Sequence, residues 1–197
     1  MQKILVVLAF MLLATIQAEA APKPNSYAPR NTAQSYELPN TLVLGGGLYD
    51  FSKNTPQLQA IDFRLEHRWG ISLLSAIAGH SLNLDSWFQI HPVLGLETTS
   101  RMQFYGFSGF AFDFLLGRHI VVTASSAIGL YDAGAGKYQG SIFEFRSMLE
   151  AGYRFNNNVR LTGFVSHMSN AHLTQINPGA NTIGAYLHIP VNMIFSE

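Results

Sequence analysis

The chain has 197 residues, no cysteine, and 12 basic residues against 12 acidic ones. The lack of cysteine excludes a disulfide framework and any thiolate metal site, and the balanced charge argues against a nucleic-acid-binding patch. Charged residues make up only 12% of the chain, while glycine (17) and phenylalanine (14) are frequent, a composition odd for a soluble domain.

The N-terminus reads as an export signal. Lys3 supplies a positive flank, Ile4 to Ile16 form an uncharged and almost wholly apolar run, and Ala18-Glu19-Ala20 gives a small-x-small cleavage pattern. The run is too short for a spanning helix. Residues 1–20 are therefore expected to be a signal peptide and the mature chain to begin near Ala21. Residues 21–40, rich in Pro, Asn and Ser, read as an extended periplasmic lead-in, and residues 41–197 as one β-barrel domain.

From Thr41 onward the chain alternates with a period of two. The first segment, Thr41–Phe51, contains Gly45-Gly46-Gly47, read as barrel curvature, since no helix follows to make a phosphate loop. In the second, Ile61, Phe63, Leu65, His67 and Trp69 share one face and Asp62, Arg64, Glu66 and Arg68 the other. Residues 70–86 fit less well and read as a loop or as an extension of that hairpin. Trp87–Thr99 follows, then a segment with Phe104, Phe110, Phe112 and Phe114 opposite Gln103 and Asp113, then His119–Tyr131. The next segment sets Phe143, Phe145, Leu149, Ala151, Tyr153 and Phe155 on one face, with Ser147 the exception. Its other face carries Glu144, Arg146, Met148, Glu150, Gly152 and Arg154. It is long for a globular sheet and suits a tilted barrel strand. The last two segments are RLTGFVSHMSN and NTIGAYLHIPV.

Eight segments joined by short turns, after an export signal and with no long apolar helix, give an all-β fold: an eight-stranded antiparallel outer-membrane barrel. A soluble lipocalin-like barrel and a β-sandwich are the alternatives. Alternation does not say which face is inside. The density of aromatics opposite charged faces, together with the export signal, turns the apolar faces to lipid and the charges inward. Glu144, Arg146, Glu150, Asp62, Arg64, Glu66 and Arg68 are then expected to pair within the lumen. The C-terminal NMIFSE lacks the terminal aromatic common on such barrels.

In the seventh segment Leu161, Gly163, Val165, His167 and Ser169 share a face, opposite Arg160 and Thr162. With the polar face inward, His167 and Ser169 project outward at the end of the lipid-facing band. Residues i and i+2 on a strand are within reach of each other. Histidine is the usual base for a serine nucleophile, and a third group must hold the imidazole. In the last segment Asn181 falls on the same outer surface, one strand away across a short connection. On spacing alone His-x-Ser is a weak motif, and a polar pair at a strand end also suits the headgroup layer. His67 and Trp69 read as interfacial. His80, His91, His119 and His188 show no metal spacing.

SHMSNAHL followed by NPGAN resembles the PagL-type lipid A 3-O-deacylase (acyloxyacyl hydrolase) family. GLYDF, DFRLEHRWG, HPVLGLETTS, IGLYDAGAGK and IFEFRSMLEAGYRF resemble its strand segments. The resemblance implies an eight-stranded outer-membrane barrel with its active site on the outer wall, cleaving the 3-position ester of lipid A to release a β-hydroxy fatty acid. It implies Ser169 as nucleophile and His167 as base, with Asn170 and the backbone at His172 forming the oxyanion site. Two departures stand out. Asn181 occupies the position of the family acid, where it can still orient His167, and His172 stands where glycine is common. No cofactor or metal is implied. The partners expected are lipid A within lipopolysaccharide and the outer membrane, with a homodimer left open and no nucleic acid. The alternatives are a non-catalytic structural or adhesion barrel that has lost the triad acid, and a phospholipase-like esterase.

Overall fold

The structure, a computed structural model, describes residues 39–52, 59–73 and 87–195. The expected signal peptide, nearly all of the expected lead-in, His80 and residues 74–86 lie outside the described residues. Eight antiparallel strands, each hydrogen-bonded to the next in chain order, close into a barrel when β1 pairs with β8. They are β1 (Thr41–Tyr49), β2 (Ala60–Arg68), β3 (Phe88–Thr99), β4 (Phe104–Leu116), β5 (Ile120–Asp132), β6 (Phe143–Arg154), β7 (Arg160–Ser169) and β8 (Ala180–Pro190). A four-residue helical turn, Val191–Ile194, follows. Closure leaves no edge strand among the eight, which is the condition for a sheet to sit in hydrocarbon. No described helix is long and apolar enough to cross a membrane.

The alternation resolves as expected, with the charged faces inside. On β2, Asp62, Arg64 and Glu66 are buried while Ile61 and Phe63 are exposed. On β6, Glu144, Arg146, Met148 and Glu150 are buried while Phe143 and Leu149 are exposed. A soluble barrel of this polarity would bury charge and show grease to water, the reverse of what the hydrophobic effect favours.

Charges buried in a packed lumen are tolerable only if paired and hydrogen-bonded. Arg146 meets Glu66 at 2.9 Å and Glu97 at 3.4 Å, and Arg68 bridges Glu66 at 3.0 Å and Glu150 at 2.9 Å. Arg64 meets Asp62 at 2.6 Å and also bonds Ser166. The Tyr186 hydroxyl donates to Glu66, and Arg160 pairs with Asp113. Glu144 departs from the expected pairing. Its carboxylate oxygens have no partner among the described residues, because Arg146, two residues deeper on the same face, is turned to Glu66 and Glu97. The lumen is also less uniformly polar than the alternation suggests. Phe107 points inward and its ring lies under the Arg146 guanidinium at 3.8 Å, and Phe164 stacks on Tyr186 at 4.5 Å. The glycine run has a packing reason, since a Cβ on Gly45 would collide with the Tyr186 ring.

The remaining histidines are accounted for by local contacts. His67 faces outward under the Trp69 ring, 4.6 Å between centroids. His91 and His188 lie in the lumen, bonded to Gln89 and Glu150 respectively. His119 stacks on Tyr153 at the opposite end of the barrel from Ser169.

Candidate active site on the outer wall

Strand register brings His167 and Asn181 together. They are direct cross-strand partners in the β7–β8 hairpin, and both are on the outer wall. His167 Nδ1 lies 2.7 Å from Asn181 Oδ1. With that oxygen as acceptor, Nδ1 carries the proton and Nε2 keeps its lone pair, the tautomer a general base needs. The Asn181 amide is itself held, because its Nδ2 donates to the Ser52 hydroxyl at 2.7 Å and its backbone carbonyl accepts from Phe51 N–H at 3.1 Å. The turn after β1 thus braces β8. Ser52 carried no signal in the sequence, since only barrel closure brings residue 52 beside residue 181.

The other edge of the ring is set by Gly179. This residue has φ +60°, and a Cβ there would lie 3.0 Å from His167 Cε1 and 3.5 Å from Nε2. Glycine therefore serves twice, by permitting the left-handed backbone and by leaving room at the basic nitrogen. The Gly179 carbonyl accepts from the Lys137 ammonium, which pairs with the buried Asp50 carboxylate at 2.7 Å. Lys137 lies between β5 and β6, and Asp50 follows β1 directly. One buried cation therefore ties three loops together behind the His167–Asn181 pair. Neither Lys137 nor Asp50 was singled out in the sequence.

Ser169 is two residues beyond His167 on the same face of β7, opposite Phe145 on β6. Its hydroxyl makes no hydrogen bond among the described residues. Ser169 and His167 thus share one face of β7 with no hydrogen bond between them.

Asn170 is fully buried. Its Nδ2 donates to the carbonyls of Gln139 and Ile176 at 2.9 and 2.8 Å and contacts Thr174 Oγ1 at 3.1 Å. Its backbone N–H donates to Asn177 Oδ1 at 3.0 Å. The side chain therefore organises the β7–β8 loop. Next come Ala171 (φ +51°) and His172 (φ +62°). Leu173 N–H closes back on the Asn170 carbonyl at 3.0 Å. Two successive positive φ values inside that bond make a type I′ turn. The N–H groups of Ala171 and His172 have no acceptor among the described residues.

An open groove adjoins this site, running from Phe51 and Asn181 past His167 and Ser147 to Ala124, with Leu149 and Val165 along it.

A family model described as lipid A 3-O-deacylase (PagL) matches residues 49–190, a span that includes the five candidate residues. Among solved structures, a crystal structure of the outer membrane enzyme PagL is similar at 19% identity, with a TM-score of 0.56, covering 76% of this chain and 99% of that one. A structure from the de novo design of transmembrane β-barrels is similar at 10% identity, with a TM-score of 0.46, covering 77% of this chain and 97% of that one. The first is a likeness of fold. Comparison with curated proteins gives no match.

Proposed function

Since the chain belongs to the PagL family of lipid A 3-O-deacylases, and is thus an ester hydrolase of that family, we propose that its chemistry is carried by Ser169, His167 and Asn181 on the lipid-facing wall of an outer-membrane barrel. Lipid A is a lipid of the membrane itself, so a nucleophile on the outer wall meets its substrate without extracting it. His167 Nε2 takes the Ser169 proton as Oγ attacks the acyl carbonyl. The tetrahedral intermediate then collapses, the bond to the sugar oxygen breaks, and His167 returns the proton to that oxygen. Water attacks the acyl-enzyme by the same route in reverse and releases the fatty acid. Asn181 holds the ring and its tautomer throughout. The oxyanion donors on this reading are the N–H groups of Ala171 and His172, with Asn170 shaping the loop that presents them.

The observation that carries the proposal is the 2.7 Å bond between His167 Nδ1 and Asn181 on the outer wall, with a free serine hydroxyl two residues along β7. One chain closes the barrel and supplies every residue named, so this reading needs no second copy. The test is mass spectrometry of lipid A from cells carrying wild type or Ser169→Ala. Loss of one 3-O-linked acyl chain with wild type and none with the variant is the expected result. A variant that deacylates as fast as wild type refutes the assignment.

The asparagine in place of the family acid favours one second reading, a barrel that kept the fold and lost activity. Wild-type expression that leaves lipid A acylation unchanged would select it. Release of phospholipid acyl chains in preference to lipid A chains would select a phospholipase-like esterase instead.

A further inference from the structure

Ser147 is the one polar break in the outward face of β6, where its neighbours are Phe143, Phe145 and Leu149. It is the direct cross-strand partner of His167, and on its other side it pairs with Ser126 of β5, also exposed on the outer wall. With Asn181 opposite His167, four polar side chains stand in one line across four strands. The line runs from the rim into the apolar band. Only Ser169 lies beyond His167 on β7. By contrast Phe145 and Phe143 lie beyond Ser147, and Ile128 and Leu130 beyond Ser126, toward the same end. A hydroxyl at that depth has no water to bond. Among the described residues neither serine side chain has a hydrogen-bond partner. Ser147 also lines the groove, between His167 and Ala124.

Resting on the reading of Ser169 and His167 as the esterase pair, we propose that Ser147 determines acyl specificity by hydrogen-bonding the 3-hydroxyl of the acyl chain being removed, while that chain lies in the groove toward Ala124. The ester carbonyl must sit between Ser169 and His167. The hydroxyl-bearing carbon is two atoms along the chain, and one strand spacing of about 4.8 Å separates His167 from Ser147. A 3-hydroxyacyl chain leaving the carbonyl toward Ala124 therefore brings its hydroxyl past Ser147. A chain without the hydroxyl leaves Ser147 unpaired in hydrocarbon. Sites built to bond a substrate hydroxyl reject analogues that lack it.

The test uses the full barrel in detergent and two glucosamine esters of equal chain length, one 3-hydroxyacyl and one unsubstituted. Wild type is expected to favour the hydroxyacyl ester about 10-fold in kcat/KM, the worth of one hydrogen bond in a dry site. Ser147→Ala brings the ratio to within about 2-fold of one, and Ser147→Thr, which keeps the hydroxyl, restores it. A ratio unchanged in Ser147→Ala overturns the proposal, as does an equal fall on both esters. If Ser147→Ala abolishes hydrolysis while Ser169→Ala retains it, Ser147 is the nucleophile and the catalytic assignment fails with this one. A folded wild type that cleaves neither ester overturns the esterase reading itself, and the proposal with it.

Discussion

Replacing Asn181 by aspartate tests what the missing acid costs. The substitution is isosteric. One carboxylate oxygen keeps the contact with His167 Nδ1, now at 2.7 Å from Asn181 Oδ1. The other faces Ser52, whose hydroxyl turns from accepting the amide N–H to donating. What changes is charge. Opposite unit charges about 4 Å apart interact by about 4 kcal/mol at an effective dielectric of about 20, and the imidazolium exists only in the transition state and intermediates. Solvent and headgroups screen this partly exposed position. A differential of about 1.4–2.8 kcal/mol then remains, equivalent to about 10- to 100-fold in kcat. Asn181→Ala removes the brace and leaves the ring free to rotate, so kcat should fall by about 10- to 100-fold. Both rates are read as acyl release from lipid A in detergent micelles. The folded barrel is scored by its faster migration on an unheated gel. A folded Asn181→Asp slower than wild type, or an Asn181→Ala as fast as wild type, would refute the orienting role.

Two further substitutions address the scaffold behind the site. Lys137→Met leaves Asp50, fully buried, without its cation, and should cost about 3–5 kcal/mol in a urea unfolding series. Most of that returns when Asp50→Asn is added, because the cost lies in the orphaned charge; a single variant within about 1 kcal/mol of wild type would show that the clamp is dispensable. At His172, φ +62° is a conformation that costs an L-residue about 1–2 kcal/mol. His172→Gly should therefore raise the unfolding free energy by about 0.5–1 kcal/mol, read as a higher urea midpoint, after the extra freedom of the unfolded chain is offset. A lowered midpoint would mean that the histidine side chain contributes more than its backbone strain costs.

Much of this molecule is legible one residue at a time. Each strand faces two solvents, lumen and lipid, and the period-two contrast of Asp62, Arg64 and Glu66 against Ile61, Phe63 and Leu65 records that directly. The same contrast put His167, Ser169 and Asn181 on one surface, since the sign of a face is a local property once lipid is known to be outside. The family pattern in SHMSNAHL and NPGAN is local too. At His172 the family's usual glycine points to the positive φ that the turn adopts, whereas at Ala171 nothing local signals it, because alanine does not favour that conformation.

Tertiary structure alone decided what stands behind and beside the site. Whether residue 52 touches residue 181 depends on closure of β1 onto β8. That Lys137, Asp50 and Gly179 meet depends on three loops converging at one end. That Ser147 stands opposite His167 and not one residue off depends on the β6–β7 register, which the pairing of the whole lumen network specifies. The sequence by itself determined which side chains share the lipid face and which share the lumen, because alternation is written along each strand and the aromatic faces mark the side turned to lipid. Which outward residues become neighbours was decided only by the closed barrel, because register and shear belong to pairs of strands.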